Sequence, residues 1–307
     1  MEKYDIIIIG AGPGGLTAGI YAGRQGTRNL IIDRDLAGGL GREVPEMENY
    51  PGFESISGLE LIEKMKAQAI RNCDLHEMEE VTEIIKTDDD EYHFTVKTAK
   101  DEYTTKTVIL ATGSSHRHLN AKGEEEFKGK GVSYCATCDG FFFQGRDIVM
   151  VGGGNSALQE ALYLNNLGAN VTLIHRRDEF RAQKHLQDQI KEAGISTILN
   201  ATVEEIKGEM LVESVVLKDT ITGELSEHPT NGVFISVGYI PHTELAKQLG
   251  VELDESGHII IDTNQKTNVD YVYAIGDVCV GLKQWVVACG EGAVAATSAF
   301  HDLKENN

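Results

Sequence analysis

Tyr4-Asp5-Ile6-Ile7-Ile8-Ile9-Gly10-Ala11-Gly12-Pro13-Gly14-Gly15 runs straight into Leu16-Thr17-Ala18-Gly19-Ile20-Tyr21-Ala22-Gly23-Arg24, and this stretch decides the fold. Four consecutive isoleucines leave no polar face, which suits a strand covered on both sides within a parallel sheet. The segment after the glycines reads as a helix. Gly10 permits the tight turn, Gly12 lets a pyrophosphate approach the backbone, and Gly15 lets helix and strand pack closely, with Pro13 and Gly14 completing the turn. The helix N-terminus adds amide donors and a favourable dipole for an anion. A second strand, 29–32, ends at Asp33, 23 residues after Gly10, where a carboxylate accepts hydrogen bonds from a ribose. Strand, glycine turn, helix, strand and acid in that order predict a dinucleotide site.

The plan repeats from residue 148. A strand over 148–151 meets Gly152-Gly153-Gly154-Asn155-Ser156-Ala157, a helix occupies 158–167, and a strand over 171–174 ends at His175, again 23 residues after the first glycine. Where the first repeat has Asp33, the second has His175, Arg176 and Arg177, with Arg181 close behind. A carboxylate suits a ribose with free hydroxyls, whereas guanidinium groups suit a 2′-phosphate, to which arginine donates two bonds in one plane. The first repeat is therefore assigned to FAD through Gly10, Gly12, Gly15 and Asp33. The second is assigned to NADPH through Gly152, Gly154, Asn155, Ser156, Ala157, His175, Arg176, Arg177 and Arg181.

Outside the repeats, 37–53 reads as a loop, 59–73 as an amphipathic helix and the surroundings of 92–96 as an antiparallel hairpin. A buried strand at 107–110 ends in Ala111, Thr112 and Gly113, small residues that allow close approach to a cofactor; Val237 and Gly238 echo this ending in the second repeat. Strands are expected at 257–262 and 271–275, the latter closing on Gly276 and Asp277, where an acid at a strand end is placed to hold a polar cofactor group. A helix is expected over 285–300. The fold class is α/β, with two Rossmann-like, three-layer dinucleotide-binding domains, the second inserted into the first. The FAD domain is read as 1–115 plus 246–307 and the NADPH domain as 116–245, with crossings near 114–131 and 239–245.

The 307 residues carry 28 Lys and Arg against 48 Asp and Glu, a formal charge of -20, which argues against nucleic acid or an anionic membrane as partner. The run 6–9 is too short to span a bilayer and comes after Glu2, Lys3, Tyr4 and Asp5, so a cytoplasmic protein is expected. Of five cysteines, Cys135 and Cys138 form the only C-x-x-C, which can be half of a zinc site, a redox couple or two packed thiols. Cys279 and Cys289 are ten residues apart and give no second close pair, so no metal is expected. The odd count leaves a thiol unpaired, as suits a reducing compartment.

In order along the chain stand GAGPGG, ENYPGF (48–53), ATG (111–113), CATCDG (135–140), GGGNSA, HRRDEFRA (175–182) and IGD (275–277). Together these resemble the low-molecular-weight, bacterial-type thioredoxin reductases across nearly the whole chain. The resemblance implies a homodimeric FAD enzyme that reduces a thioredoxin or thioredoxin-like protein with NADPH. It implies Cys135 as the thiol that attacks the substrate and Cys138 as the one nearer the flavin; Asp139 beside them reads as the proton donor or acceptor that thiol exchange requires, with helix capping as the competing reading. It adds Pro13, Gly14, Gly39, Leu40, Asn49, Ala111, Thr112, Gly113, Gly276, Asp277, Lys283, Gln284 and Trp285 to the FAD site, and Val237 and Gly238 to the NADPH site. It also implies rotation of one domain against the other, since disulfide and nicotinamide both need the flavin. The chain departs from the family at 40–45, Leu-Gly-Arg-Glu-Val-Pro in place of Gln and threonines, and at Lys283-Gln284-Trp285. Competing readings are the same reductase fed by a reduced deazaflavin or ferredoxin, and a regulatory module that binds both nucleotides without turnover. The family's disulfide-bearing extra domain is not expected before Met1 or after Asn307.

Overall fold

The computed structural model describes residues 1–44 and 47–305, without the Glu43 side chain; Pro45, part of the departing loop, lies outside them. The chain divides into two compact units, Met1–Ser115 with Ile240–Asn307, and His116–Tyr239.

In the first unit β1 (Glu2–Ile9) leads into α1 (Pro13–Arg24), then β2 (Asn29–Ile32), α2 (Gly58–Ala69), β3 (Asp74–His76), β4 (Val81–Lys86), β5 (Phe94–Thr98) and β6 (Glu102–Leu110). The sheet runs β3-β2-β1-β6-β5-β4. Its β3-β2-β1-β6 part is parallel, while β5 and β4 continue from β6 as an antiparallel hairpin. The isoleucine run is buried on both faces, as its composition requires. Ile6 and Ile8 join α1, α2 and the C-terminal helix, while Ile7 and Ile9 join Phe94 and Val96 of the hairpin. Helices cover one face and extended segments the other, giving three layers.

The chain passes between units at β7 (Ser114–His116) and returns further on. The second unit begins with β8 (Val132–Ser133) and α3 (Ala136–Asp139), continues through β9 (Asp147–Gly152), α4 (Asn155–Asn166), β10 (Asn170–Ile174), α5 (Lys184–Glu192) and β11 (Ser196–Ile198), and then forms β12 (Ala201–Gly208), β13 (Val212–Asp219), β14 (Leu225–Pro229) and β15 (Gly232–Ser236). The parallel sheet runs β11-β10-β9-β15-β8, and β12-β13-β14 make a separate antiparallel sheet. The return passage is β16 (Tyr239–Pro241), paired with β7; α6 (Glu244–Gln248), β17 (Val272–Ala274) and α7 (Trp285–Glu305) come after it.

β17 pairs in parallel with the C-terminal half of β6, Val272 to Val108 and Ala274 to Leu110, so the last part of the chain completes the first sheet. The strand expected at 257–262 does not form; that stretch makes only isolated bridges, Ile259 to Leu253 and to Cys279. Gly257 has φ +88°, and the Asp254 carboxylate collects the amides of Ser256 and His258, so a local turn competes with an extended ladder.

Gly292 of α7 shows how tightly the helical layer is packed. A Cβ there would lie 2.3 Å from the Gly14 carbonyl oxygen and 3.1 Å from the Ala18 nitrogen, so α1 and α7 meet backbone to backbone. Gly292→Ala is expected to cost about 1–3 kcal/mol through overpacking, read as a lowered thermal midpoint together with weaker retention of any nucleotide bound at the α1 N-terminus. An unchanged midpoint would show that the helices separate freely.

Candidate active site

At the carboxyl end of β1 the glycines do different work. Gly10 sits at φ +110°, and a Cβ there would be 2.2 Å from the Ala111 oxygen; a Cβ on Gly15 would be 1.9 Å from the Gly10 oxygen. Gly12 has nothing within 4 Å of such a position and caps α1, so its open side faces the free amides of the helix. The Gly38 amide bonds the Ala11 oxygen at 2.8 Å, which draws the adjoining Gly39-Leu40 turn against Gly12. Asp33 accepts the Ala11 amide at 2.6 Å and the Asp35 amide at 2.9 Å. Burial raises its pKa, and these two amides pull the other way. Each oxygen keeps a lone pair, so the carboxylate can still accept ribose hydroxyls.

The remaining positions assigned to the first nucleotide gather on the same sheet edge. Thr112 Oγ1 donates to the His242 oxygen at 2.6 Å, and the His242 amide bonds the Gly113 oxygen, which fixes the end of β6. The Gly276 amide donates to Glu291 Oε2 at 2.6 Å, tying the turn after β17 to α7. Asp277 is half-buried, and burial raises its pKa. Lys283 Nζ donates to the Asp277 carbonyl at 2.8 Å and to the Cys279 carbonyl. Asn49 Nδ2 donates to Gln284 Oε1 at 3.2 Å, bringing the 49–53 turn to the start of α7. Trp285 lies over Gly41, where a Cβ would be 2.1 Å from its ring, and meets Tyr50 edge-on at 6.2 Å. The two departing stretches thus fit each other: the glycine at 41 makes room for the tryptophan at 285.

The second glycine turn repeats the construction with different chemistry. A Cβ on Gly152 would be 2.4 Å from the Ser236 oxygen and 2.5 Å from Ala157 Cβ, while Gly154, capping α4, is open. The amides of Arg181 and Ala182 bond the Gly153 oxygen at 2.9 and 3.2 Å, and Asn155 Oδ1 accepts the Gln183 amide at 2.8 Å. The loop after β10 is therefore folded back over the turn. Arg176, Arg177 and Arg181 are exposed and make no ion pair among the described residues. His175 behaves differently from its neighbours. It is buried, and a Cβ on Gly153 would lie 2.2 Å from its ring. Burial and the three arginines lower its pKa, so it is a neutral ring supporting the glycine turn. Gly238 stands at φ +105° after β15, its carbonyl accepting the Arg117 amide.

Cys135 and Cys138 are joined in a disulfide across α3, with Cα atoms 5.3 Å apart, so each sulfur is engaged by the other. Ala136 packs into the core formed by Ala157, Leu158, Ala161 and Leu164, which anchors the ring on α4. Asp139 accepts from Ser133 Oγ at 2.6 Å, and burial raises its pKa against that bond. Phe143 packs on Phe234 with centroids 5.1 Å apart, while Phe141 and Phe142 remain 54% and 46% exposed. The backbone turn over Gly140–Phe143 leaves two of the three consecutive phenylalanines facing water a few residues after Cys138. The other cysteines are packed. Burial pushes the Cys73 thiol up to about 12 and raises that of Cys279, and Cys289 lies 3.8 Å from the Tyr50 hydroxyl.

The pattern of the pyridine nucleotide-disulphide oxidoreductase family matches residues 4–292. The chain belongs to that family. It is 44% identical to the thioredoxin reductase of Listeria innocua, over 98% of this chain and 95% of that one, and 42% identical to that of Bacillus subtilis over the same shares. The crystal structure of thioredoxin reductase from Streptococcus pyogenes is 40% identical, covers 99% of both chains and superposes with a TM-score of 0.90. Identity at this level over the full length places the chain with the thioredoxin reductases, and membership implies a flavin and a nicotinamide nucleotide. No helix among the described residues is long and apolar enough to cross a membrane.

Glu160 of α4 is a site-edge residue that sequence reading passes over. Its carboxyl is hydrogen-bonded to Ser236, the residue paired with Gly152, and burial pushes its pKa up to about 7. A carboxyl whose folded pKa exceeds its unfolded value of about 4.3 prefers to be protonated in the fold. Its stabilising contribution is complete below pH ~4 and is lost as pH rises through about 7. Glu160→Gln is therefore expected to gain about 2 kcal/mol more in stability at pH 8 than at pH 5. Urea unfolding at the two pH values checks this, and equal gains would mean the carboxylate is not destabilised by burial.

Proposed function

We propose that the protein is a thioredoxin-disulfide reductase that carries electrons from NADPH through FAD to the Cys135–Cys138 disulfide and on to a thioredoxin-like protein. The observation that carries the reading is the ring disulfide set beside the carboxyl of Asp139 and two exposed phenylalanines, on the edge of a sheet that also bears a glycine turn. When bound, FAD supplies the two-electron transfer between a nicotinamide and that disulfide.

Chemistry at the protein substrate is the work of the chain. In the dithiol form the Cys135 thiolate attacks one sulfur of the substrate disulfide, forming a mixed disulfide and releasing the other substrate sulfur as a thiolate, which takes a proton from Asp139. Cys138 then passes its own proton to Asp139 and attacks the Cys135 sulfur. The second substrate thiolate leaves, two electrons have moved to the substrate, and the ring disulfide is closed again. Phe141 and Phe142 offer the apolar surface on which a protein disulfide can be held near Cys135.

Nucleotide identity rests on charge. Asp33 at the first site suits an unphosphorylated ribose and would repel a 2′-phosphate, whereas Arg176, Arg177 and Arg181 at the second are exposed and carry no carboxylate partner among the described residues. That intact, cationic second site speaks against a reduced deazaflavin or ferredoxin as donor. The disulfide speaks against a purely regulatory module, which has no use for a thiol pair. A homodimer is inferred from family membership, and the three unpaired thiols suit the cytoplasm.

Arg176→Ala combined with Arg177→Ala is expected to raise the KM for NADPH by about 10- to 100-fold and leave that for NADH nearly unchanged. Stopped-flow bleaching of the flavin by each donor measures this; equal losses would remove the 2′-phosphate contact. Cys138→Ser is expected to keep bound flavin and its bleaching by NADPH while thioredoxin reduction falls by at least about 1,000-fold. Turnover surviving in that variant would take the pair out of the mechanism.

A further inference from the structure

We propose that Ser133, through its one hydroxyl, holds the Asp139 carboxyl in place as the proton carrier for exchange at Cys135 and Cys138, an inference that rests on the function just proposed. Ser133 ends β8 and is only 5% exposed. Parallel pairing with β15, Val132 to Val233 and Ser133 to Phe234, fixes its backbone independently of the cysteine ring. Its Oγ lies 2.6 Å from Asp139 Oδ2, 3.1 Å from the Cys135 amide nitrogen and 3.3 Å from the Cys135 carbonyl oxygen.

Those three partners match the needs of a proton carrier. A hydroxyl has one proton to give and two lone pairs to receive. With Asp139 ionised, Ser133 donates to the carboxylate and accepts from the Cys135 amide. With Asp139 protonated, the carboxylic acid donates to Ser133 Oγ, which still accepts the Cys135 amide and turns its own proton to the Cys135 carbonyl. Both protonation states are satisfied without moving a heavy atom, so proton uptake and release at Asp139 need no rearrangement of the ring. The same carbonyl receives the Cys138 and Asp139 amides at 3.3 and 3.1 Å, which closes the loop around one oxygen.

No other group among the described residues shares this task. Burial raises the pKa of Asp139, and the Ser133 bond is what opposes it; no charged side chain contributes. Among the elements packed on α3, α4 carries Glu160, itself engaged by Ser236, and Tyr163, while 140–143, β8 and β15 bring no charged side chain. Loss of the hydroxyl therefore removes the opposing bond and leaves burial alone.

The test uses the full-length, flavin-loaded protein as Ser133→Ala, Ser133→Thr, Asp139→Asn and the Ser133→Ala/Asp139→Asn double variant. Each is tracked over pH in single-turnover reduction of an oxidised bacterial thioredoxin, with flavin bleaching by NADPH as the control half-reaction. Ser133→Ala is expected to move the Asp139-dependent limb of the profile upward by about one pH unit, roughly tenfold in rate at a pH on that limb. It should leave flavin bleaching intact and add nothing in the Asp139→Asn background; Ser133→Thr should keep the original profile. An unmoved profile in Ser133→Ala alongside a slowed Asp139→Asn overturns the role of Ser133. So does a loss of flavin bleaching in Ser133→Ala, or a Thr variant shifted as far as Ala. Exchange at the full rate in Asp139→Asn instead overturns the proton-carrier reading of Asp139 and this inference with it, while loss of turnover in Cys138→Ser would still uphold the disulfide reading.

Discussion

Both nucleotide sites depend on how closely a helix can approach the strand before it. A Cβ on Gly15 would come within 1.9 Å of the Gly10 oxygen, and one on Gly152 within 2.5 Å of Ala157 Cβ. Side chains at these positions would push helix from strand, and the amides of the first helical turn would no longer converge over the sheet edge. Gly12 and Gly154 are the complementary case, with open space where a side chain would stand. Contact on one side and emptiness on the other give a strand-to-helix turn the room and the amides to receive an anion, and the chain builds this arrangement twice.

Because the two turns are alike, selectivity has to come from the residues just beyond the second strand of each repeat. Asp33 is held by the Ala11 amide, inside the glycine turn, so the carboxylate and the turn are one object. In the second unit the equivalent position is filled by His175, which lies beneath Gly153 as a neutral support and leaves Arg176, Arg177 and Arg181 exposed beyond it. The matched offset of 23 residues makes the position legible in the sequence. It does not separate a residue that supports the turn from one that faces solvent, because both come directly after the strand.

Features carried by short, contiguous patterns are legible: the isoleucine strand, both glycine turns, the strand ending at 110 and the helix starting at Trp285. Those that depend on residues far apart are not. The β12-β13-β14 sheet is hidden because its strands alternate buried and exposed residues too irregularly; β14 buries almost nothing. The strand expected at 257–262 is absent because an aspartate-centred turn satisfies the amides locally. Trp285 reads as an isolated departure in one dimension, since Gly41, which accommodates its ring, stands 244 positions earlier.

The disulfide site joins these two kinds of information. CATCDG announces a thiol pair with an acid next to it, yet adjacency in sequence does not make a carboxyl a usable proton carrier. Burial raises the pKa of the half-buried Asp139 carboxyl, and only the Ser133 bond acts in the opposite direction. Exchange requires both directions, since one thiol must lose a proton and a departing thiolate must gain one. The hydroxyl of Ser133, six residues upstream and anchored in β8, bonds the carboxyl at 2.6 Å and opposes the effect of burial. The strand that closes the edge of the second sheet thus reaches the disulfide site: it fixes the hydroxyl that meets the carboxyl beside the cysteines.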